Sequence, residues 1–464
     1  MLKPAFALLA VIAAPAAASR PLTSAEISQI DQIVAKALGE TGVPSAEVAI
    51  VRDGEIVLNK AYGKASDTLP ASTALPYQIA SNSKQFTAMA LLLLEDEGKL
   101  SLDDKVAKYF PDITRADKIS LRQLLSHTSG IRDFWPQDYS FEAMSRTVAP
   151  QDIVDRWAKQ PVDFPAGDQW QYSNTGYVVA GMIAEKVSGE PLMKFLKRRI
   201  FDPLGMKSVL DQDEANGPRF PTGYGRYALG PVRAVTPPAR GWLYAAGELS
   251  MTAEDLAKWD IARINRTLIP ADDWAEQEKP VKLNDGSNTG YGLGVSVGER
   301  NGHKAVTHTG EAVGFLSSNA VYPDDKAAVV VLTNSWSGGA YTRIARNIAN
   351  LILTAQGQAA TQVAAAERAR TVFDQLRAGK LDRSLLTTNA NYYFTPQAIA
   401  DYAASLAPLG EPTAFTPSGS PTPRGGFMIQ GYTIKYPNRT LNLSTFYEPV
   451  PNGRIEQFLV TPGE

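Results

Sequence analysis

SAEVAIVRDGEIVLNKAYG, residues 45–63, places two β-rich runs on either side of Asp53-Gly54. Asp-Gly is a strong signal for a two-residue hairpin turn, whose central positions require positive φ. The chain therefore opens on paired antiparallel strands. Strand signals return only from residue 291, in YGLGVSVG, HKAVTH, FLSSNAVYP and KAAVVVLTN, with Pro323-Asp324-Asp325 as a turn. Between these ends, from 84 to about 265, the pattern is mainly helical: FTAMALLLLEDEGKL, a second apolar repeat at 119–126, then GYVVAGMIAEKVSG and PLMKFLKRRIFDPLGM. Strands at both ends with helices between them imply an α/β (α+β) fold: one antiparallel sheet built from N- and C-terminal pieces, flanked by helices, with a helical subdomain inserted.

Outward from this frame, a helix near 340–355 closes a main domain expected over 25–355. Residues 356–367, QGQAATQVAAAE, look like a linker running into a helix. Beyond them, 368–464 has its own helices (370–380, 396–406) and strands (427–434, 440–447, 454–461), and is expected to form a separate small α+β domain. At the other end, residues 1–18, MLKPAFALLAVIAAPAAA, have one basic residue, a short apolar run and an Ala16-x-Ala18 site. That is the layout of a secretory signal peptide, too short for the ~20 residues that span a bilayer. The expected product is periplasmic or secreted, with no stable membrane span.

Composition removes several classes of function. The 464 residues include no cysteine, so disulfides, a thiolate nucleophile, Cys-bound zinc and a lipidated cysteine are all excluded. Only His127, His303 and His308 are available, which argues against a histidine metal site. No metal or cofactor is expected. A net charge of −2 with well-mixed signs gives no reason to expect a nucleic-acid partner.

The chemistry begins in A-S-N-S-K-Q, residues 80–85, the chain's only S-x-x-K, at the start of an apolar helix. Residues three apart on a helix share a face, so Ser81 and Lys84 can touch, whereas Ser83 points elsewhere. A serine hydroxyl needs a base to become a nucleophile, and a lysine serves only when neutral. Bringing a lysine from its usual pKa to near 7 costs about 4 kcal/mol, which burial beside MALLLL can supply. Tyr172-Ser173-Asn174 offers partners: a tyrosine near the lysine can act as a phenolate that relays protons, and Asn174 can donate to Lys84 and to a substrate carbonyl. A second Y-x-N, Tyr436-Pro437-Asn438, lies outside the main domain. His308-Thr309-Gly310, at the end of HKAVTH, suggests an edge strand beside the nucleophile. There the backbone N–H of Glu311 with that of Ser81 can form an oxyanion hole, and Gly310 lets a substrate approach closely.

Ser81-x-x-Lys84, Tyr172-x-Asn174 and His308-Thr309-Gly310, in that order, resemble the serine β-lactamase and penicillin-binding-protein superfamily, and most of all its class C β-lactamase and DD-peptidase branch. LLSHTSGI at 124–131, PLGM at 203–206, AAGELSMTAEDLAKW at 245–259 and YGLG at 291–294 extend the resemblance over about 25–355. It implies an acyl-enzyme on Ser81, acid and base roles shared by Lys84 and Tyr172, an orienting Asn174, and a small-molecule or cell-envelope amide or ester as substrate. His127 is expected to brace its loop. Most β-lactamases carry lysine where this chain has His308, and a mostly neutral histidine attracts carboxylates poorly. The expectation is thus an exported esterase, DD-carboxypeptidase or D-aminopeptidase rather than a true β-lactamase. A non-catalytic β-lactam or cell-wall sensor would have no need of Ser81, Lys84, Tyr172 and Asn174 together. Residues 368–464 look similar to nuclear-transport-factor-2-like domains, through G-K-L-D at 379–382, Y-F-T-P-Q at 393–397 and N-G-R-I-E-Q-F-L-V at 452–460.

Overall fold

The computed structural model describes residues 20–135, 142–227, 230–336, 338–353, 356–424, 426–450 and 452–463, side chains excepted at 356–363, 420 and 423. The expected signal segment, 1–18, lies outside the described residues. At the hairpin, Asp53 and Gly54 take φ of 55° and 81°. Arg52 pairs with Glu55, so a two-residue turn joins β1 (Ser45–Arg52) to β2 (Glu55–Gly63). The later strands are β3 (Ser296–Arg300), β4 (His303–Ala312), β5 (Phe315–Tyr322) and β6 (Ala327–Thr333). They complete a six-stranded antiparallel sheet in the order β2-β1-β6-β5-β4-β3. The N-terminal hairpin therefore docks on the last strand of the sheet, with Val48 opposite Val331.

Five helices contribute to the cores of this unit: α1 (Ser24–Thr41), α2 (Lys84–Asp96), α3 (Asn174–Ser188), α4 (Ala253–Asn265) and α5 (Ala340–Ile352). Ala46, Val48 and Ile50 of β1 pack with Ile30 and Val34 of α1 and with Ile344 and Ile348 of α5. Ala49 and Val51 point to the opposite face, whose core includes Phe86 of α2 and Trp259 of α4. With apolar cover on both faces, β1 is buried along its whole length, and its central Val48-Ala49-Ile50-Val51 reads as an apolar run rather than an alternation.

The chain divides into two compact units at 353/354. The second contains α6 (Gln356–Arg377), α7 (Thr388–Tyr393), α8 (Pro396–Leu406) and an antiparallel sheet of β7 (Ala414–Arg424), β8 (Phe427–Tyr436), β9 (Arg439–Tyr447) and β10 (Ile455–Pro462) in sequential order. Its own core includes Phe373, Phe394, Tyr432, Leu443 and Phe458. The stretch 356–367, expected as linker, is the first half of α6. It is alanine-rich and free of proline, and such a composition favours helix. No helix among the described residues is long and apolar enough to cross a membrane.

Candidate active site

Ser81 sits in a 3-10 turn, Ala80–Ser83, that runs directly into α2. Ala80 enters this turn at φ 50°, and two more non-glycine residues at positive φ, His127 (60°) and Ala245 (55°), flank the same site. Such strained conformations persist only where the surroundings hold them, and they gather at functional sites. Every residue of α2 from Lys84 to Leu94 is buried. The Lys84 Nζ donates to Ser81 Oγ at 3.0 Å, Asn174 Oδ1 at 2.7 Å and the Ala246 carbonyl at 2.7 Å. Burial brings the lysine down to about 7, against the opposing pull of the Asp133 carboxylate. Ser83 is turned away, and its Oγ accepts the Leu249 N–H at 3.1 Å. The two serines are thus separated as the helix geometry requires.

Ser173 caps α3 by accepting the Gly176 N–H at 3.1 Å, which puts Asn174 in the first turn and Tyr172 just ahead of it. Asp133 accepts the Asn174 backbone N–H at 2.8 Å and its Nδ2–H at 3.1 Å. This corrects one expected contact of Asn174: its oxygen accepts from Lys84 rather than its amide donating to the lysine, and one hydrogen of that amide is taken by Asp133. Burial raises Asp133, opposed by the N–H groups of Asn174 and Trp135 and by the Lys84 charge. Tyr172 places its ring centroid 4.8 Å from Lys84 Nζ. Its phenol is pushed up, chiefly by burial and against the opposing effect of the Ser81 hydroxyl, so it is protonated at neutral pH. In the resting site Tyr172 is thus a phenol, and Lys84 is the group poised near neutrality.

His308 does not end its strand: β4 continues to Ala312. Pairing with β3 stops at Thr307, which leaves 308–312 without a partner strand on that side among the described residues. Gly310 is required for a reason other than substrate access. A Cβ there would lie 2.0 Å from the Ile79 carbonyl oxygen and 2.2 Å from Ser317 Oγ, so the close approach is between β4 and the chain leading into Ser81. His308 is buried, and its pKa is lowered to about 4 by desolvation and by the nearby Lys84. Its Nδ1 lies 2.6 Å from the Thr309 carbonyl and its Nε2 lies 2.8 Å from the Tyr291 hydroxyl. The same hydroxyl lies 3.2 Å from His127 Nε2, while His127 Nδ1 accepts the Ser173 N–H at 3.1 Å. The His127 ring packs on that of Tyr172 with centroids 4.2 Å apart.

Ser81, Tyr172, Asn174, His308, Thr309 and Glu311 line one cavity of about 270 Å3, with Lys84 hydrogen-bonded beneath Ser81. Trp135, Leu243 and Trp336 supply apolar wall. Among the described residues that line it, the charged groups are two carboxylates, Asp133 and Glu311, with no lysine or arginine. Glu311 accepts a hydrogen bond from the Trp336 indole N–H. Sequence reasoning missed Asp133, which belongs to no motif, and it saw Tyr291 only as the first residue of YGLG.

The β-lactamase family's sequence profile matches residues 30–353, and the chain belongs to that family. Penicillin-binding protein 4* of Bacillus subtilis (strain 168) is 28% identical over 343 residues, 70% of this chain and 76% of that protein. Among solved structures, the D-amino acid amidase of Ochrobactrum anthropi SV3 in complex with L-phenylalanine amide is 28% identical, with a TM-score of 0.60 over 71% of this chain and 97% of that one. The octameric penicillin-binding protein homologue of Pyrococcus abyssi shares the fold, with a TM-score of 0.62 at 22% identity over 94% of this chain and 96% of that one. The likeness of 368–464 to nuclear-transport-factor-2-like domains is not borne out by these comparisons. It rested on short fragments with ordinary structural roles: Gly379, in G-K-L-D, is a glycine at φ 70° just past the end of α6, a common way to stop a helix.

Proposed function

We propose that the protein is an exported serine hydrolase that forms an acyl-enzyme on Ser81, and that its acyl donors are amides or esters bearing a protonated amine near the scissile carbonyl. D-amino-acid amides, peptides with a free D-amino terminus and aminoacyl esters share this chemistry. The observation that carries the reading is the charge of the cavity: a neutral His308 and two carboxylates, with no lysine or arginine among the described residues that line it. A penicillin or a C-terminal peptide carboxylate would meet like charge there, whereas an ammonium would meet Glu311, Asp133 and the aromatic faces of Trp135 and Trp336. The amidase likeness supports the same class.

In the proposed cycle, neutral Lys84 takes the Ser81 proton as Oγ attacks the carbonyl, and the N–H groups of Ser81 and Glu311 receive the developing oxyanion. Tyr172 donates its phenolic proton to the leaving amine or alcohol and is reprotonated by the Lys84 ammonium. Water then attacks the ester on Ser81 with the same groups in reverse, which returns the serine hydroxyl and the free acid.

The test compares purified protein with its Ser81→Ala variant on D-amino-acid amides, aminoacyl esters, their N-acetyl counterparts and a chromogenic cephalosporin. Free-amine substrates should exceed the acetylated ones by roughly tenfold or more in kcat/KM. Undiminished turnover by Ser81→Ala would sink the mechanism. Cephalosporin turnover above that of the amides and esters would make the enzyme a β-lactamase instead.

A further inference from the structure

We propose that Tyr291 and His127 are positioning residues: with His308 they form a neutral, unidirectional hydrogen-bond chain that ties the start of α3 to β4 and sets Tyr172 against the substrate-facing strand. The inference rests on the reading of Ser81, Lys84 and Tyr172 as the reacting groups.

The two ends of the chain fix every proton in it. At one end the Ser173 backbone N–H can only donate, so His127 Nδ1 accepts and His127 Nε2 carries the hydrogen. His127 Nε2–H then donates to the Tyr291 oxygen, 3.2 Å away. At the other end the Thr309 carbonyl can only accept, so His308 Nδ1 carries its hydrogen and Nε2 presents a lone pair. The Tyr291 O–H donates to that lone pair at 2.8 Å. The histidines are therefore opposite tautomers, and every donor has an acceptor.

Protonating either ring breaks this order. An added proton on His308 would direct two N–H groups at the Tyr291 oxygen and turn the tyrosine hydrogen away from His308 towards the Tyr177 hydroxyl, which breaks the chain at that link. An added proton on His127 would turn Nδ1–H against the Ser173 N–H. The titratable groups facing the two rings are Lys84 from α2, Tyr172 and Tyr177 from α3 and its approach, and Tyr291. The one cation among them, Lys84, also opposes protonation of both. With both its nitrogens engaged, the His127 ring cannot turn, and it is the surface on which the Tyr172 ring rests. The chain thus fixes the phenol across the cavity from Thr309 and keeps a positive charge out of the third motif.

Only three histidines are present, so nitrogen-15 histidine NMR on the full-length protein reads the chain directly. The expected spectrum has one Nε2–H and one Nδ1–H ring that do not titrate between pH 5 and 8, beside His303, which pairs with Asp325. Both buried rings in the same tautomer, or either one titrating above about pH 5, overturns the proposal. Tyr291→Phe should lower kcat about 10- to 100-fold with KM changed by less than about threefold, and should let His308 titrate at higher pH. Unchanged kcat in a folded variant also overturns it. Should Tyr291→Phe fail to fold, the wild-type tautomers decide. Failure of the Ser81 reading shows separately, as turnover retained by Ser81→Ala.

Discussion

The hydroxyls of Ser81 and Ser83 differ only in their surroundings. Ser83→Ala leaves the buried Leu249 N–H without an acceptor, which should cost about 1–3 kcal/mol in urea unfolding while hydrolysis persists. Ser81→Ala should do the reverse, keeping stability and losing turnover. The same locality governs pH. Lys84 must be neutral to act, so kcat/KM should rise with pH through about 7, the value to which burial lowers it. Asp133 pulls in the opposite direction by favouring the ammonium. Removing that charge in Asp133→Asn lowers the lysine further, so the acid limb of the pH profile should move to lower pH. A limb that stays in place or moves up would show that Asp133 does not act on Lys84 through charge.

At the level of elements, β4 and the turn before α2 are joined almost backbone to backbone. Ser317 Oγ donates to the Ile79 carbonyl at 2.7 Å and accepts from Asn82 Nδ2 at 2.8 Å, which fixes the entry to Ser81 against β5. Gly310 faces this same junction. Gly310→Ala inserts a methyl group where no space exists, and it should both lower the melting temperature and reduce acylation strongly, measured with a serine-directed fluorophosphonate. Normal labelling in a variant of native stability would mean that β4 can move away freely. Much of this level was readable in advance. The Asp53-Gly54 hairpin, the apolar helix after Lys84 and the return of strands after 291 follow from turn chemistry and period, both of which are local. The glycine's purpose was misread because the chain it approaches lies more than two hundred positions away.

For the whole molecule, separate cores on either side of 353/354 predict separate stability. A fragment ending at Leu353 should fold and hydrolyse substrate, since every residue assigned to the site lies within it, and calorimetry of the full chain should resolve two transitions. A single transition, or an unfolded fragment, would show that the units depend on each other.

Interactions within a few residues of one another were open to the sequence: the tight turn, the helical face shared by Ser81 and Lys84, and the order of the three motifs. Folding alone settled the chemistry those groups carry. Lys84 is held by the carbonyl of Ala246, 162 positions on, and Asn174 is oriented by Asp133, 41 positions back. His308 is neutral because burial and Lys84 act on it together, against the Thr309 carbonyl. Dielectric surroundings and hydrogen-bond direction are sums over spatial neighbours, and no local pattern of residues encodes such a sum.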